Sequence, residues 1–73
     1  MRVTYDRRAN AVYVYFTEHA LTPGRQSIPV ETPEGVNTFV VVDWKDNQIV
    51  GLEILDASIN LHQDFLDQAE IIG

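Results

Sequence analysis

The sequence contains no cysteine, and this absence excludes disulfide bonds, thiolate zinc sites and cysteine nucleophiles together. Glycine and proline are few and scattered, with four glycines and three prolines, so there is no glycine-rich phosphate loop and no low-complexity linker. No apolar run is long enough to cross a membrane. The N-terminus also lacks the basic stretch and apolar block of a signal peptide, which predicts a cytoplasmic protein.

Basic side chains are also scarce, with 5 Lys and Arg against 11 Asp and Glu, giving a net charge of −6. Residues 1–45 are balanced, whereas residues 46–73 hold six acids and no base. An acidic surface repels the phosphate backbone, so nucleic acid is not the expected partner. The acidic C-terminal part fits a solvated surface, and the alternative hypothesis is that it faces a basic protein partner, because complementary potentials speed association.

The length of 73 residues predicts a single domain spanning residues 1–73. A hydrophobic fraction of 45% is typical of a folded globular protein. A chain of this size buries only roughly 60% of its unfolded surface, so its own core is marginal. In the absence of disulfides, a partner chain is the expected source of additional burial.

The first four fifths of the chain has the composition of β-strands. Pro29 lacks an N–H and predicts an edge strand or a bulge. Gly51 predicts a bulge or a close backbone neighbour, and Asp46 with Asn47 predicts a tight hairpin turn. The predicted strands cover residues 1–5, 11–17, 27–31, 38–44 and 48–55, with the third the weakest.

Two of these strands are apolar on both sides, which predicts self-association. Within residues 12–16, valine and phenylalanine lie on one side while Tyr13 and Tyr15 lie on the other, and residues 39–42 are apolar throughout. A sheet with one solvated face should alternate apolar and polar residues instead. One short helix covers only one face, so we expect a homodimer to cover the other.

Residues 59–73 supply the predicted helix. Its apolar stripe comprises Leu61, Phe65, Ala69 and Ile72 at helical spacing. A helix this short needs to dock to persist, and docking on its own sheet is favoured over docking on another chain. The predicted fold is therefore α+β: an antiparallel β-meander of four to five strands in residues 1–58, followed by a C-terminal helix.

The residues that carry chemistry form no recognisable catalytic or metal-binding motif. His19 and His62 are isolated, without HExxH or cysteine ligands. The carboxylates around the second hairpin lack the spacing of a calcium loop. We therefore predict no catalytic residue, no cofactor and no metal.

Two segments of the chain resemble one known group. Residues 5–14, YDRRANAVYV, are similar to the opening signature of the DUF2283 family of small prokaryotic proteins, and residues 50–58, VGLEILDAS, resemble its closing signature. The turn at Asp46-Asn47-Gln48 departs from the family's usual Asp-Gly turn, and the tail beyond Leu61 is outside the signature. The resemblance implies a small, mostly β domain of unknown function. Because some members are encoded beside small toxin-like proteins, it also implies an antitoxin-type binding role.

Three functions are compatible with these features. The leading hypothesis is a non-enzymatic, self-associating interaction module, in its stronger form antitoxin-like. The alternative is a small enzyme or ligand-binding protein with Asp43, Glu53, Asp56 or His62 in a cleft between protomers. The third is nucleic-acid binding through Arg2, Arg7, Arg8 and the tyrosines. The candidate interaction residues are Tyr13, Tyr15, Trp44, Phe65, Asp64, Asp67 and Glu70.

Overall fold

The computed structural model describes residues 1–17, 21–36 and 39–73. Six strands and two short helices follow one another along these residues. The strands are β1 (Arg2–Asp6), β2 (Ala11–Tyr15), β3 (Gln26–Val30), β4 (Val40–Lys45), β5 (Gln48–Leu55) and β6 (Glu70–Ile71), and the helices are α1 (Ala57–Asn60) and α2 (Gln63–Asp67).

All six strands belong to one sheet in the order β3-β4-β5-β2-β1-β6. The neighbouring pairs among β1 to β5 are antiparallel, as predicted, whereas β6 lies parallel to β1 and makes the sheet mixed. The order differs from a simple meander because β2 pairs with β5 rather than with β3. This arrangement places β2, which is apolar on both sides, in the interior of the sheet.

The prediction of one helix over residues 59–73 is wrong in its extent. The backbone at Leu61 is extended (φ −113°, ψ 142°), which ends α1 and starts a second helix. His62 caps α2, since its Nδ1 accepts a hydrogen bond from the Asp64 N–H at 3.1 Å. After α2 the chain forms the short strand β6 instead of another helical turn. The Ile72 N–H then donates a hydrogen bond to the Tyr5 carbonyl at 3.1 Å.

The predicted docking of the C-terminal segment on its own sheet is confirmed. Leu66 is 2% exposed and packs with Val12, Val14 and Ala57 in the buried cluster. The residues packed against that cluster come from β1, β5 and the connection between the helices. The helices therefore cover only the β1-β2-β5 part of one sheet face.

The predicted turn and edge positions are also confirmed. Asp46 and Asn47 have φ values of 51° and 65° and connect β4 to β5 in a two-residue turn. Asp and Asn tolerate this left-handed conformation better than most residues do. Pro29 lies in β3, which is the outermost strand of the sheet on that side.

Candidate functional site

One half of a sheet face is apolar and uncovered. Ile28 is paired with Val42 across β3 and β4, Val30 is paired with Val40, and Val42 is paired with Leu52 of β5. Directly paired residues place their side chains on the same face of a sheet. Leu52 lies on the face that packs against the helices. The same face continues across β4 to the edge strand β3, where neither α1 nor α2 covers it.

A β-bulge extends this surface toward the second hairpin. The pairing register of β4 and β5 shifts between Asp43 and Trp44, so that Trp44 faces Ile49 rather than Val50. Trp44 is also paired with Gln26 of β3. Trp44 shares the face of Val42 and Ile28 because it lies two residues from Val42 in β4. The bulge brings Ile49 to the same face. We call this surface the open face, and it consists of Ile28, Val30, Val40, Val42, Trp44 and Ile49.

The open face is exposed and contains no charged side chain. Ile28 and Val30 are each 45% exposed, Ile49 is 41% exposed and Trp44 is 36% exposed. Val40 and Val42 are half-buried between them. An apolar group of this kind at a protein surface commonly marks an interaction site.

The opposite face of the same strands carries a buried polar network centred on Asp43. Asp43 is 1% exposed, and its carboxylate accepts hydrogen bonds from Tyr13 at 2.5 Å, Ser27 at 2.6 Å and Arg25 Nε at 3.1 Å. Every side-chain oxygen of Asp43 is thereby paired, which offsets the cost of burying a charge. The network joins β2, β3 and β4.

The network shifts the pKa values of two of its members. Burial acts to raise the pKa of Asp43, but the hydrogen bonds from Ser27 and Tyr13 and the charge of Arg25 outweigh it, so the pKa lies below its ordinary value of 3.8. Burial, together with the neighbouring carboxylate, raises the pKa of Tyr13 well above its ordinary range. At neutral pH the carboxylate is therefore charged and the phenol is a hydrogen-bond donor.

Gly51 makes this arrangement possible. A Cβ atom at Gly51 would lie 2.6 Å from Cε1 of the Tyr13 ring, closer than real side chains approach one another. The sequence predicted a bulge or a close backbone neighbour at Gly51. The register shift lies next to Gly51, and its close neighbour is a side chain, that of Tyr13. The absent side chain leaves room for the ring to cross β5 and reach Asp43 on β4.

Replacing Gly51 with alanine is expected to displace the Tyr13 ring and lower the free energy of unfolding by about 1–3 kcal/mol, the usual cost of overpacking. Urea unfolding followed by tyrosine and tryptophan fluorescence would measure the loss. In a Tyr13→Ala background the ring is absent, so Gly51→Ala should cost much less. An equal cost in both backgrounds would contradict the role of Gly51 as space for Tyr13.

A small groove lies on this polar face, next to the network. It has a volume of about 160 Å³. The Tyr13 and Tyr15 rings stand side by side there, with centroids 4.7 Å apart and planes inclined by 56°. The groove is lined by Thr4, Asp6, Ala11, Val12, Tyr13, Tyr15, Leu21, Glu53 and Ile72.

The structure distributes the candidate interaction residues over several surfaces. Trp44 lies on the open face, whereas Tyr13 and Tyr15 line the groove on the opposite face. Glu70 forms an ion pair with Arg2 at 3.0 Å. The remaining candidates, Phe65, Asp64 and Asp67, lie exposed on α2.

The residues considered for catalysis do not converge either. Asp43 is buried in its network, and Glu53 lines the groove. Asp56 is exposed before α1, and His62 caps α2. His19 is outside the described residues. In the described part of the chain no group of three or more His, Cys, Asp or Glu side chains is placed to hold a metal ion.

Sequence reasoning missed Arg25 and Ser27 as partners of Asp43. The available signal was the aspartate itself, which follows three valines in a strand that is apolar on both sides. A charged residue in such a strand is expected to find hydrogen-bond donors on neighbouring strands. The donors could not be named because the pairing of the third predicted strand was unknown.

Comparisons with known proteins identify the family of the chain. No curated protein and no solved structure matches it. Among the described residues, no helix is both long enough and apolar enough to span a membrane. A family model described as "Protein of unknown function (DUF2283)" matches residues 2–58, which include β1 to β5 and the residues of the polar network. The chain therefore belongs to the DUF2283 family.

Proposed function

We propose that the protein is a non-enzymatic interaction module that forms a homodimer through the open face. One observation carries this proposal: the sheet face that holds the core continues across β4 and β3, where it is apolar and not covered by the helices. A second copy supplies the same apolar surface, so a two-fold contact buries the open face of both chains at once.

The surface area of the chain supports this proposal. A compact monomer of 8.3 kDa is expected to expose about 4,600 Å². The chain exposes 5233 Å², and its dimensions of 32 × 29 × 18 Å describe a thin slab. The excess of about 600 Å² approaches the roughly 800 Å² that each partner contributes to a standard interface.

The edge of the sheet favours contact through the face rather than through strand pairing. Proline in an edge strand is a common device against pairing with another chain, because it lacks a backbone donor. Pro29 occupies the middle of β3. We therefore expect the two sheets to stack through Ile28, Val30 and Trp44, without forming a continuous sheet across the dimer.

In its finer form, the proposal includes an antitoxin-type role with a basic partner. Asp64 and Asp67 support it, because both are exposed and neither contacts a Lys or Arg among the described residues. Glu70 supports it less, since its charge is paired with Arg2. The alternative of an enzyme has weaker support, because Asp43, Asp56 and His62 lie in separate places.

Light scattering at about 100 µM protein is expected to give twice the chain mass of 8.3 kDa. Ile28→Lys places a charge in the open face and should yield a monomer. The matched control is Ile59→Lys, because Ile59 is apolar and 78% exposed but lies on α1; this variant should remain a dimer. Circular dichroism would verify that both variants are folded. A monomeric wild-type chain, or equal dissociation of the two variants, would contradict the proposal.

A further inference from the structure

We propose that the groove on the polar face binds an alkylammonium or guanidinium cation, either of a small molecule or of a Lys or Arg side chain. The groove is separate from the open face, so this site is independent of the proposed dimer. Its walls combine the Tyr13 and Tyr15 rings with the apolar side chains of Leu21 and Ile72, and Glu53 contributes a carboxylate.

Glu53 supplies the charge that a cation would neutralise. Its side chain is half-buried, and it has no hydrogen bond or ion pair to any other described residue. By contrast, the buried Asp43 is paired with Arg25. A partly desolvated carboxylate gains more from a cation than a fully solvated one does, because the screening by water is reduced.

The tyrosine rings suit the same ligand. The Arg2 guanidinium lies 4.9 Å from the centroid of the Tyr15 ring. A cation over the face of an aromatic ring is attracted by the electrons of that ring, and the Tyr13 ring offers the same chemistry. Tyr13 is held by its hydrogen bond to Asp43 and by the space at Gly51. Its ring is therefore fixed before any ligand arrives, which lowers the entropic cost of binding.

The size of the groove limits the ligand. Pockets for drug-sized molecules and cofactors have volumes of about 300–1,000 Å³, whereas this groove has about 160 Å³. A nucleotide does not fit, but a single amine or guanidinium with a short alkyl chain does. The apolar lining accounts for the alkyl part and Glu53 for the charged end.

Binding is tested by titrating the ¹⁵N-labelled full chain with n-butylammonium, with N-acetyl-arginine amide and with the neutral 1-pentanol. Both cations should shift the amide signals of Tyr13 and Glu53, while 1-pentanol should shift them much less. Glu53→Gln should weaken binding of the cations about tenfold, as the loss of a charge-assisted hydrogen bond predicts. The control is Glu31→Gln, which changes an exposed acid just beyond β3 and should leave the affinity unchanged.

The two cations distinguish the sources of the ligand. Tighter binding of the arginine amide would indicate a side chain of a protein partner, and tighter binding of butylammonium would indicate a small amine. Equal shifts with 1-pentanol would overturn the proposal, because the groove would then be merely apolar. Unchanged affinity in a folded Glu53→Gln variant would overturn it as well, and neither result would affect the proposed dimer.

Discussion

Asp43→Ala is expected to lower the free energy of unfolding by about 3 kcal/mol, the lower end of the cost of breaking a buried charge pair. The substitution removes the acceptor of three donors, Tyr13, Ser27 and Arg25. We expect the lower end of that range because the Arg25 side chain is 31% exposed, so water can solvate its charge once the carboxylate is gone. For a domain whose total stability is of the order of 5 kcal/mol, such a loss leaves about 2 kcal/mol, so that about 3% of the chains are unfolded.

Urea unfolding at one fixed protein concentration is the measurement, because dimer formation makes the apparent stability depend on concentration. Glu31→Ala serves as the control, since Glu31 is exposed beside the same edge strand and should change stability by less than about 0.5 kcal/mol. A loss below 1 kcal/mol for Asp43→Ala would show that the network is not a major source of stability.

The pH dependence provides a second measurement of the same carboxylate. Because the pKa of Asp43 is lower in the folded chain than its ordinary value of 3.8, the stability from its ionisation is fully present above the ordinary value. That stability is lost as the pH falls through the folded pKa. The difference in stability between the wild type and Asp43→Asn should therefore be constant near neutral pH and shrink below about pH 4.

Residues whose conformation is determined locally were the ones that could be predicted. The β-branched and aromatic residues of β2, β4 and β5 indicate strands whatever surrounds them. Asp46 and Asn47 fit the tight turn through their tolerance of positive φ, and Pro29 indicates an edge through its missing N–H. These features require no knowledge of which strands are neighbours.

Features that depend on pairing could not be predicted in the same way. Whether Ile49 lies with Trp44 on the open face or on the opposite face depends on a single-residue shift in the pairing of β4 with β5. Gly51 indicates a bulge in β5, but the sequence does not fix at which residue the register shifts. The open face and the Asp43 network both depend on the pairing of β4 with β3 and with β5. Tyr13 and Tyr15 were correctly predicted to share one side of β2, but the groove between them and Glu53 needed the pairing of β2 with β5.

The buried residue of α2 could not be predicted from helical spacing either, because the spacing depends on where the helix starts. Helical spacing placed Phe65 on the apolar stripe and left out Leu66, because it assumed one continuous helix. In the structure α2 starts anew at His62, which rotates the helix so that Leu66 is 2% exposed and Phe65 is 38% exposed. The residue that faces the sheet is therefore the one next to the residue that periodicity selected.

Leu66→Ala is accordingly expected to lower the free energy of unfolding by about 3 kcal/mol, within the range for deleting a buried leucine side chain. Leu66 packs with Val12, Val14 and Ala57, so the substitution leaves a cavity beneath α2. Phe65→Ala is the matched control, because it removes a larger apolar side chain from the adjacent position and should cost less. Urea unfolding of both variants measures the difference. A larger loss for Phe65→Ala would show that the spacing of a single helix was correct. A larger loss for Leu66→Ala shows that the core is completed by a residue outside the segment 2–58 that the family model matches.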